Sequence, residues 1–224
     1  NNFSKSLEYY NNSVTAFEKI GDKSYIPTLY YLTGINYSKL YNHPSALVFF
    51  NRAKAMKAAQ GDEQGVTECN IGLAELYLSR KNADSALYYL DLARQYTTKT
   101  NNSYGNAKAD ILKSEAHFLK QEYDSATSYA LTGLSQAAAL HARELKVDAD
   151  KILYRISAEK KQYDNAFHHL MNYMSLRDSI INEKTTRNIS RLEGDYLLDK
   201  KQSQILLLEK ENYNRKLLLR ATVI

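Results

Sequence analysis

Cysteine, proline and glycine are scarce in this sequence of 224 residues, which contains one, two and eight of them respectively. The single cysteine, Cys69, excludes an intramolecular disulfide framework and a multi-cysteine zinc site. The few prolines and glycines stand beside many Ala, Leu, Lys, Glu and Gln residues, which lose little free energy on entering a helix. The composition therefore predicts an all-α fold with little or no sheet.

Long apolar runs and concentrated charge are also absent. No run of eighteen or more apolar residues occurs and no signal peptide opens the chain, so none of these residues is expected to span a bilayer. The net charge of +5 is distributed along the sequence. Because no compact run of Lys and Arg is interleaved with aromatic residues, we expect no nucleic-acid binding by this segment.

A forty-residue repeat dominates what is present. The stretches KNADSALYYL, QEYDSATSYA and KQYDNAFHHL begin at Lys81, Gln121 and Lys161. Small residues recur at the same interval in three sets: Gly34, Ala74, Ser114 and Tyr154; Ala46, Ala86, Ala126 and Ala166; and Ala53, Ala93, Gly133 and Tyr173. Small side chains at fixed offsets predict closely crossing antiparallel helices, because larger ones would force the backbones apart. The two tyrosines indicate the end of the array.

The repeated motif also contains a helix-start signal. Asp84, Asp124 and Asp164 are expected where the second helix of each unit begins, because a carboxylate there can accept hydrogen bonds from unpaired backbone amides. Pro44 takes this position in the first unit, and proline is tolerated in the first turn of a helix.

Helix-stop signals keep the same period. Gly21, Gly61 and Asn101 are suited to the left-handed conformation that ends a helix. The predicted unit is therefore helix, tight turn, helix and loop, repeated four times over residues 23–174. Residues 1–22 are interpreted as the second helix of a truncated earlier unit.

The offsets between the small residues, with Tyr37 and Tyr77 three positions after Gly34 and Ala74, resemble the tetratricopeptide repeat. The resemblance covers about two thirds of the chain. It implies a right-handed superhelix of antiparallel helix pairs that binds a protein or peptide in its inner groove. The family's unit has about 34 residues, so six extra residues per unit are expected, as longer second helices and loops.

The resemblance also implies which side chains face the groove, since the first helix of each unit lines it. The implied positions are Thr28, Tyr31, Ile35, Glu68, Ile71, Glu75, Lys108, Ile111, Glu115, Asp148, Lys151 and Arg155. Members that grip a peptide's terminal carboxylate use a basic and asparagine cluster. This chain has Tyr31, Ile35 and Gly72 at several of those places, so no such clamp is expected.

Residues 175–224 have no proline, one glycine and dense charge, which predicts one long C-terminal helix. Four of its positions recur at intervals of seven: Leu198, Ile205, Asn212 and Leu219. Lys201 and Arg215 interrupt that seam. Two interpretations stay open, a coiled-coil stalk that forms a homodimer or a helix that caps the last face of the repeats.

The order of repeats, charged helix and leucine-rich end resembles the sensor regions of bacterial membrane-bound histidine kinases and helix-turn-helix regulators. This resemblance implies signal transduction, a membrane span after residue 224 and an extracytoplasmic (periplasmic) location of the repeats. Arg215, Lys216 and Arg220 favour a cytoplasmic location instead, by the positive-inside rule. The alternative is a soluble scaffold or adaptor whose C-terminal helix mediates assembly.

No pattern in the sequence predicts an enzyme. There is no nucleotide-binding glycine loop, nucleophile elbow or zincin motif. On a helix His168 and His169 diverge by about 100 degrees and cannot chelate one metal together, and Asp164 with His168 lacks a third ligand. Cys69 is expected to be a small core residue. No catalytic residue, metal site or cofactor is therefore predicted.

Overall fold

Helices account for the regular structure throughout the described part of the chain. The computed structural model describes the backbone of residues 2–221 and the side chains of residues 3–211, and within these limits no strand occurs, which confirms the all-α prediction. The helices are α1 (Asn2–Lys19), α2 (Ile26–Lys39), α3 (His43–Ala59), α4 (Glu63–Ser79), α5 (Ala83–Lys99), α6 (Ser103–Leu119), α7 (Tyr123–Ala139), α8 (Arg143–Glu159) and α9 (Tyr163–Ala221).

The chain divides within α9 into two compact units, Asn1–Met174 and Ser175–Ile224. Unit 1 holds the antiparallel pairs α2 with α3, α4 with α5, and α6 with α7, each packed on the next. Unit 2 is the continuation of α9, and from residue 181 to residue 211 every described side chain is exposed. None of the described helices is both long enough and apolar enough to cross a membrane.

Equal helices produce the forty-residue period. Each helix from α4 to α8 has 17 residues, and three residues join it to the next. The extra residues were expected in longer second helices and loops, but the first helices α4, α6 and α8 are as long as the second helices α5 and α7, and the loops are short. Because the two helices of a pair pack in antiparallel contact, an extension of one helix alone would have no partner against which to bury its apolar side.

A left-handed residue follows each helix of unit 1 at intervals of twenty. Between units, Gly21 (φ 73°), Gly61 (φ 70°) and Asn101 (φ 52°) confirm the predicted helix stops. His141 between units (φ 52°) adopts the same conformation, and so do four residues within units: Tyr41, Lys81, Gln121 and Lys161. Each costs about 1–2 kcal/mol, which the surrounding helix packing must offset, and no residue type in the sequence signals them.

The motif aspartates lie at the starts of the second helices, as predicted, but they are not the helix caps. The cap of α5 is Asn82, whose side-chain oxygen accepts a hydrogen bond from the backbone N–H of Ser85 at 3.0 Å. The same arrangement recurs at the start of three other helices, where the caps are Asn42, Asp62 and Asn102. The capping position immediately follows the left-handed residue, because that turn places its side chain over the free amides of the next helix.

The motif aspartates join neighbouring units instead. Asp84 and Asp124 are the second residues of their helices. Lys120 Nζ donates to Asp84 Oδ1 at 3.0 Å, and Lys160 Nζ donates to Asp124 Oδ1 at 2.8 Å. Each lysine is the residue that follows the first helix of the next unit. The two hydrogen bonds, each between residues 36 positions apart, therefore join neighbouring units. The hydrogen bond from Lys160 lowers the pKa of Asp124.

Replacing Asn82 with alanine is expected to destabilise unit 1 by about 1 kcal/mol, because it removes the acceptor for a free amide of α5. Asp84→Ala is the matched comparison, two residues away. Its side chain is 85% exposed, so it should change stability less. Urea unfolding followed by circular dichroism measures both, and a larger loss for Asp84→Ala would contradict the assignment of the cap.

The small residues of the repeat lie between the helices, as predicted. Ala46, Ala86 and Ala126 are completely buried. At Gly34 an added Cβ would lie 2.8 Å from the ring of Phe50, closer than real Cβ contacts. The close approach of α2 and α3 therefore requires glycine at that point.

Candidate functional site

A concave groove runs along the first helices of the units. Helices α2, α4, α6 and α8 contact one another in sequence, so their free sides form one continuous surface. The large lobe of this groove has a volume of about 550 Å³. Eight of the twelve implied groove positions line it: Ile35, Glu75, Lys108, Ile111, Glu115, Asp148, Lys151 and Arg155.

A small lobe of about 410 Å³ lies towards the amino-terminal ends of α4 and α6. It brings together Tyr31, Glu68 and Ile71, and it shares Lys108 with the large lobe. Thr28 lines neither lobe. Tyr104, which is 50% exposed, lines the small lobe and was missed from the sequence. Its position one helical turn before Lys108 was the available signal, because residues four apart share a helix face.

Opposite charges on neighbouring helices form two ion pairs across the groove. Lys108 Nζ lies 2.9 Å from Glu75 Oε1, and Arg155 Nη1 lies 3.3 Å from Glu115 Oε1. The guanidinium of Arg155 also stacks 4.4 Å from the ring centroid of Phe118. These side chains are partly exposed, so each pair contributes about 1 kcal/mol or less to stability. Their main consequence is to fix where the charges of the groove lie.

The groove changes the proton affinity of Lys108 and Asp148. Burial, the largest single effect, lowers the pKa of Lys108, but the charge and hydrogen bond of Glu75, with Tyr104 and Asp148, together raise that pKa overall. Burial raises the pKa of Asp148, with Glu75 and Glu115 adding to the effect while Lys151 opposes it. Asp148 is solvent-accessible but enclosed by the groove walls, so it takes up a proton more readily than a free aspartate.

Aromatic side chains form the floor near the first unit. The rings of Tyr31 and Phe50 are 5.8 Å apart. An added Cβ at Gly72 would lie 2.9 Å from the Phe50 ring and 3.3 Å from the Tyr31 ring, so only glycine leaves this part of the floor open. Burial, with Glu75 and Glu68 nearby, raises the pKa of Tyr31, and its hydroxyl therefore stays a hydrogen-bond donor at neutral pH.

The cysteine and the two adjacent histidines, the residues with potential for catalysis or metal binding, are buried or hydrogen-bonded within the helices. Cys69 is fully buried, and burial raises the pKa of its thiol to about 12, which disfavours the reactive thiolate. His169 Nδ1 lies at hydrogen-bond distance, 2.8 Å, from Asp150 Oδ1 and connects α9 to α8. His168 contacts Asn172 on the same helix. Among the described residues, no three side chains of His, Cys, Asp or Glu are grouped to hold a metal ion.

Comparison with known proteins shows the fold. No known protein family and no characterised protein matches the sequence. Among solved structures, MamA (residues 41 to the end) from Desulfovibrio magneticus RS-1 is similar, with a TM-score of 0.51 and 14% identity over 78% of this chain and 96% of that one. The MamA RS-1 ArsTM double mutant has a TM-score of 0.50 with the same identity and coverage. MamA is a helical repeat protein of the tetratricopeptide type, and the similarity confirms the predicted fold class, an all-α superhelix of antiparallel helix pairs.

Proposed function

We propose that this chain is a non-enzymatic scaffold that binds another protein through the groove of unit 1. The observation that supports this proposal most is the convergence of the implied positions. Eight of them, taken from all four first helices, line a single lobe. A concave surface with fixed charges and an aromatic floor is suited to recognising an exposed peptide segment.

Truncating Tyr31 and Lys151 together to alanine is expected to weaken partner binding at least about 10-fold, or about 1.4 kcal/mol. Tyr31 provides buried aromatic area in the small lobe, and Lys151 provides an exposed charge in the large lobe. The measurement is affinity capture from a lysate of the source organism, followed by mass spectrometry. Partners of the groove should be retained by the wild-type chain and lost by the double variant.

The matched control is Tyr88→Ala with Lys99→Ala, which removes the same chemistry from residues that line neither lobe and are 60% and 73% exposed. Circular dichroism must show both variants folded. If the two variants retain the same proteins, the groove is not the binding surface and the proposal fails.

A second candidate function, the sensor region of a membrane-anchored bacterial signalling protein, is favoured by one feature of unit 2. Its helix carries exposed apolar residues, among them Ile189, Leu192 and Tyr196, that a stalk or a homodimer would cover. In this proposal the repeats are periplasmic and the helix transmits the signal. Fractionation of the full-length natural protein tests it, since recovery in the soluble fraction would exclude membrane anchoring.

A further inference from the structure

The helix of unit 2 exposes an apolar stripe along one of its sides. The apolar members of this stripe are 51–66% exposed: Ile181, Ile189, Leu192, Tyr196 and Leu207. Positions reached from Ile181 by repeated steps of four, four and three residues share one face, because three turns of an α-helix take about 11 residues. Thr185 and Ser203 also lie on this face, and up to residue 211 only Lys200 and Glu211 bring charge to it. An exposed apolar face of this length indicates a surface that binds another chain.

The heptad seam predicted from the sequence lies on a different face of the same helix. Leu198 and Ile205 are turned by roughly 200 degrees from the middle of the stripe, since each residue adds about 100 degrees. Continued towards the amino terminus, the seam passes through Arg191, Arg187 and Lys184, whose like charges would oppose one another in a pair of identical helices. The other two predicted seam positions lie outside the residues whose side chains are described: Asn212 and Leu219. The stripe contains no such run of like charge and is therefore the better surface for a second copy.

The side chains at the edges of the stripe match those of a second copy in parallel alignment. Asp195 and Lys200 lie on opposite edges, five residues apart. Flanking positions with this relation meet between parallel paired helices, so Asp195 of each copy would lie near Lys200 of the other. Asn188 and Glu193 have the same relation and would pair an amide with a carboxylate. The twofold symmetry of such a dimer forms each of these contacts twice.

The length of the stripe suits a stable pair of helices. From Ile181 to Leu207 it extends about 39 Å, or roughly seven turns. This is close to four heptads, the length over which repeated apolar positions indicate a coiled coil. We propose that the helix of unit 2 is a dimerisation helix whose partner is a second copy of this chain, aligned in parallel and in register through the stripe. This inference goes beyond the proposed function, because it does not depend on what the groove of unit 1 binds.

Cysteine cross-linking of the 224-residue chain tests this inference. The native Cys69 is fully buried, so an introduced cysteine is the accessible thiol. Ser203→Cys places a thiol in the stripe, where equivalent residues of the two copies approach within disulfide distance, and mild oxidation should convert most of the chain to a covalent dimer. Thr185→Cys should do the same near the other end of the stripe. Lys201→Cys is the matched control, two residues from Ser203 but in the heptad seam, and it should stay largely monomeric on a denaturing gel.

Sedimentation equilibrium provides the second measurement, and the chain without added cysteines should sediment as a dimer. Leu192→Lys with Tyr196→Lys should raise the dissociation constant of the dimer at least about 10-fold. Leu198→Lys with Ile205→Lys makes comparable changes on the other face and should leave that constant unchanged. Circular dichroism must show that both variants keep their helix content.

Three results would overturn the inference. The first is a chain that remains monomeric at its highest soluble concentration. The second is a dimer that cross-links through Lys201→Cys and not through Ser203→Cys, which would place the heptad seam at the interface. The third is a dimer that cross-links at none of the three positions, which would pair the helices in antiparallel alignment. The groove proposal is unaffected by these outcomes, because the variants of Tyr31 and Lys151 test it separately.

Discussion

Replacing Arg94 with methionine is expected to destabilise unit 1 by about 3 kcal/mol, as for the removal of one partner of a buried ion pair. Arg94 reaches from α5 to the carboxylate of Asp110 on α6, and that carboxylate is 1% exposed. Its other described partner is Gln136 Nε2, which donates from α7 at 3.4 Å. Methionine keeps most of the apolar contact of the arginine stem but leaves a buried charge uncompensated. The free energy of unfolding from urea titration measures the loss.

Adding Asp110→Asn to Arg94→Met should recover most of that stability, because the double variant has no charge left to bury. The chain contains a precedent, since Asn70 occupies the same position one unit earlier and is also buried. Asp110→Asn alone should cost less than Arg94→Met, because Arg94 is 37% exposed and its guanidinium can turn to solvent. If the double variant loses as much stability as the two single variants added together, the coupling between Arg94 and Asp110 is contradicted.

The packing of unit 1 could be predicted from the sequence because it depends on side-chain size. Ala86 and Ala126 lie where two helices approach closely, and the need for a small side chain at that position recurs in every unit. The left-handed stops at Gly61 and Asn101 were predictable because glycine and asparagine adopt that conformation at low cost, whereas Lys81 and Gln121 adopt it without any signal in the sequence. Where geometry restricts the choice of residue, periodicity in the sequence reveals the geometry.

The polar contacts could not be predicted because they join residues that no local rule connects. Aspartate is a residue type that often caps helices, yet the carboxylate of Asp84 accepts a hydrogen bond from Lys120 in the next unit. Asp110 and Asp150 share one repeat position, but the first pairs with Arg94 and the second with His169. A carboxylate can serve any of these purposes, and only the three-dimensional neighbourhood decides between them.

The groove is an intermediate case. Eleven of the twelve positions that the resemblance implies line one of the two lobes, because the position of a residue within the repeat determines which side of the first helix it occupies. The resemblance did not identify Tyr104, and it placed Thr28 among residues that line the groove although neither lobe contains it. Both residues lie in the first turn of a first helix, Thr28 in α2 and Tyr104 in α6, where the groove wall depends on the preceding turn as well as on the helix face.

Replacing Gly133 with leucine is expected to destabilise unit 1 by about 3 kcal/mol and to lower its melting temperature by roughly 10 °C. An added Cβ at this point of α7 would lie 2.6 Å from Ile111 Cγ1 and 3.2 Å from the backbone oxygen of Ala107. Backbone and a branched side chain cannot move aside as a flexible chain end can, so α6 and α7 must separate. Thermal unfolding followed by circular dichroism measures the effect.

Gly133→Ala is the matched control. The preceding unit has Ala93 and Ile71 at the two equivalent positions, so helices of this repeat accommodate an alanine beside an isoleucine. Alanine also gains about 1 kcal/mol of helix propensity over glycine, which should offset most of the crowding. Because Ile111 lines the groove, the leucine variant should also retain groove partners less well in affinity capture than the alanine variant does. A leucine variant as stable as the wild-type chain would show that α6 and α7 separate without cost, and close helix crossing would then not explain why small residues recur every forty positions.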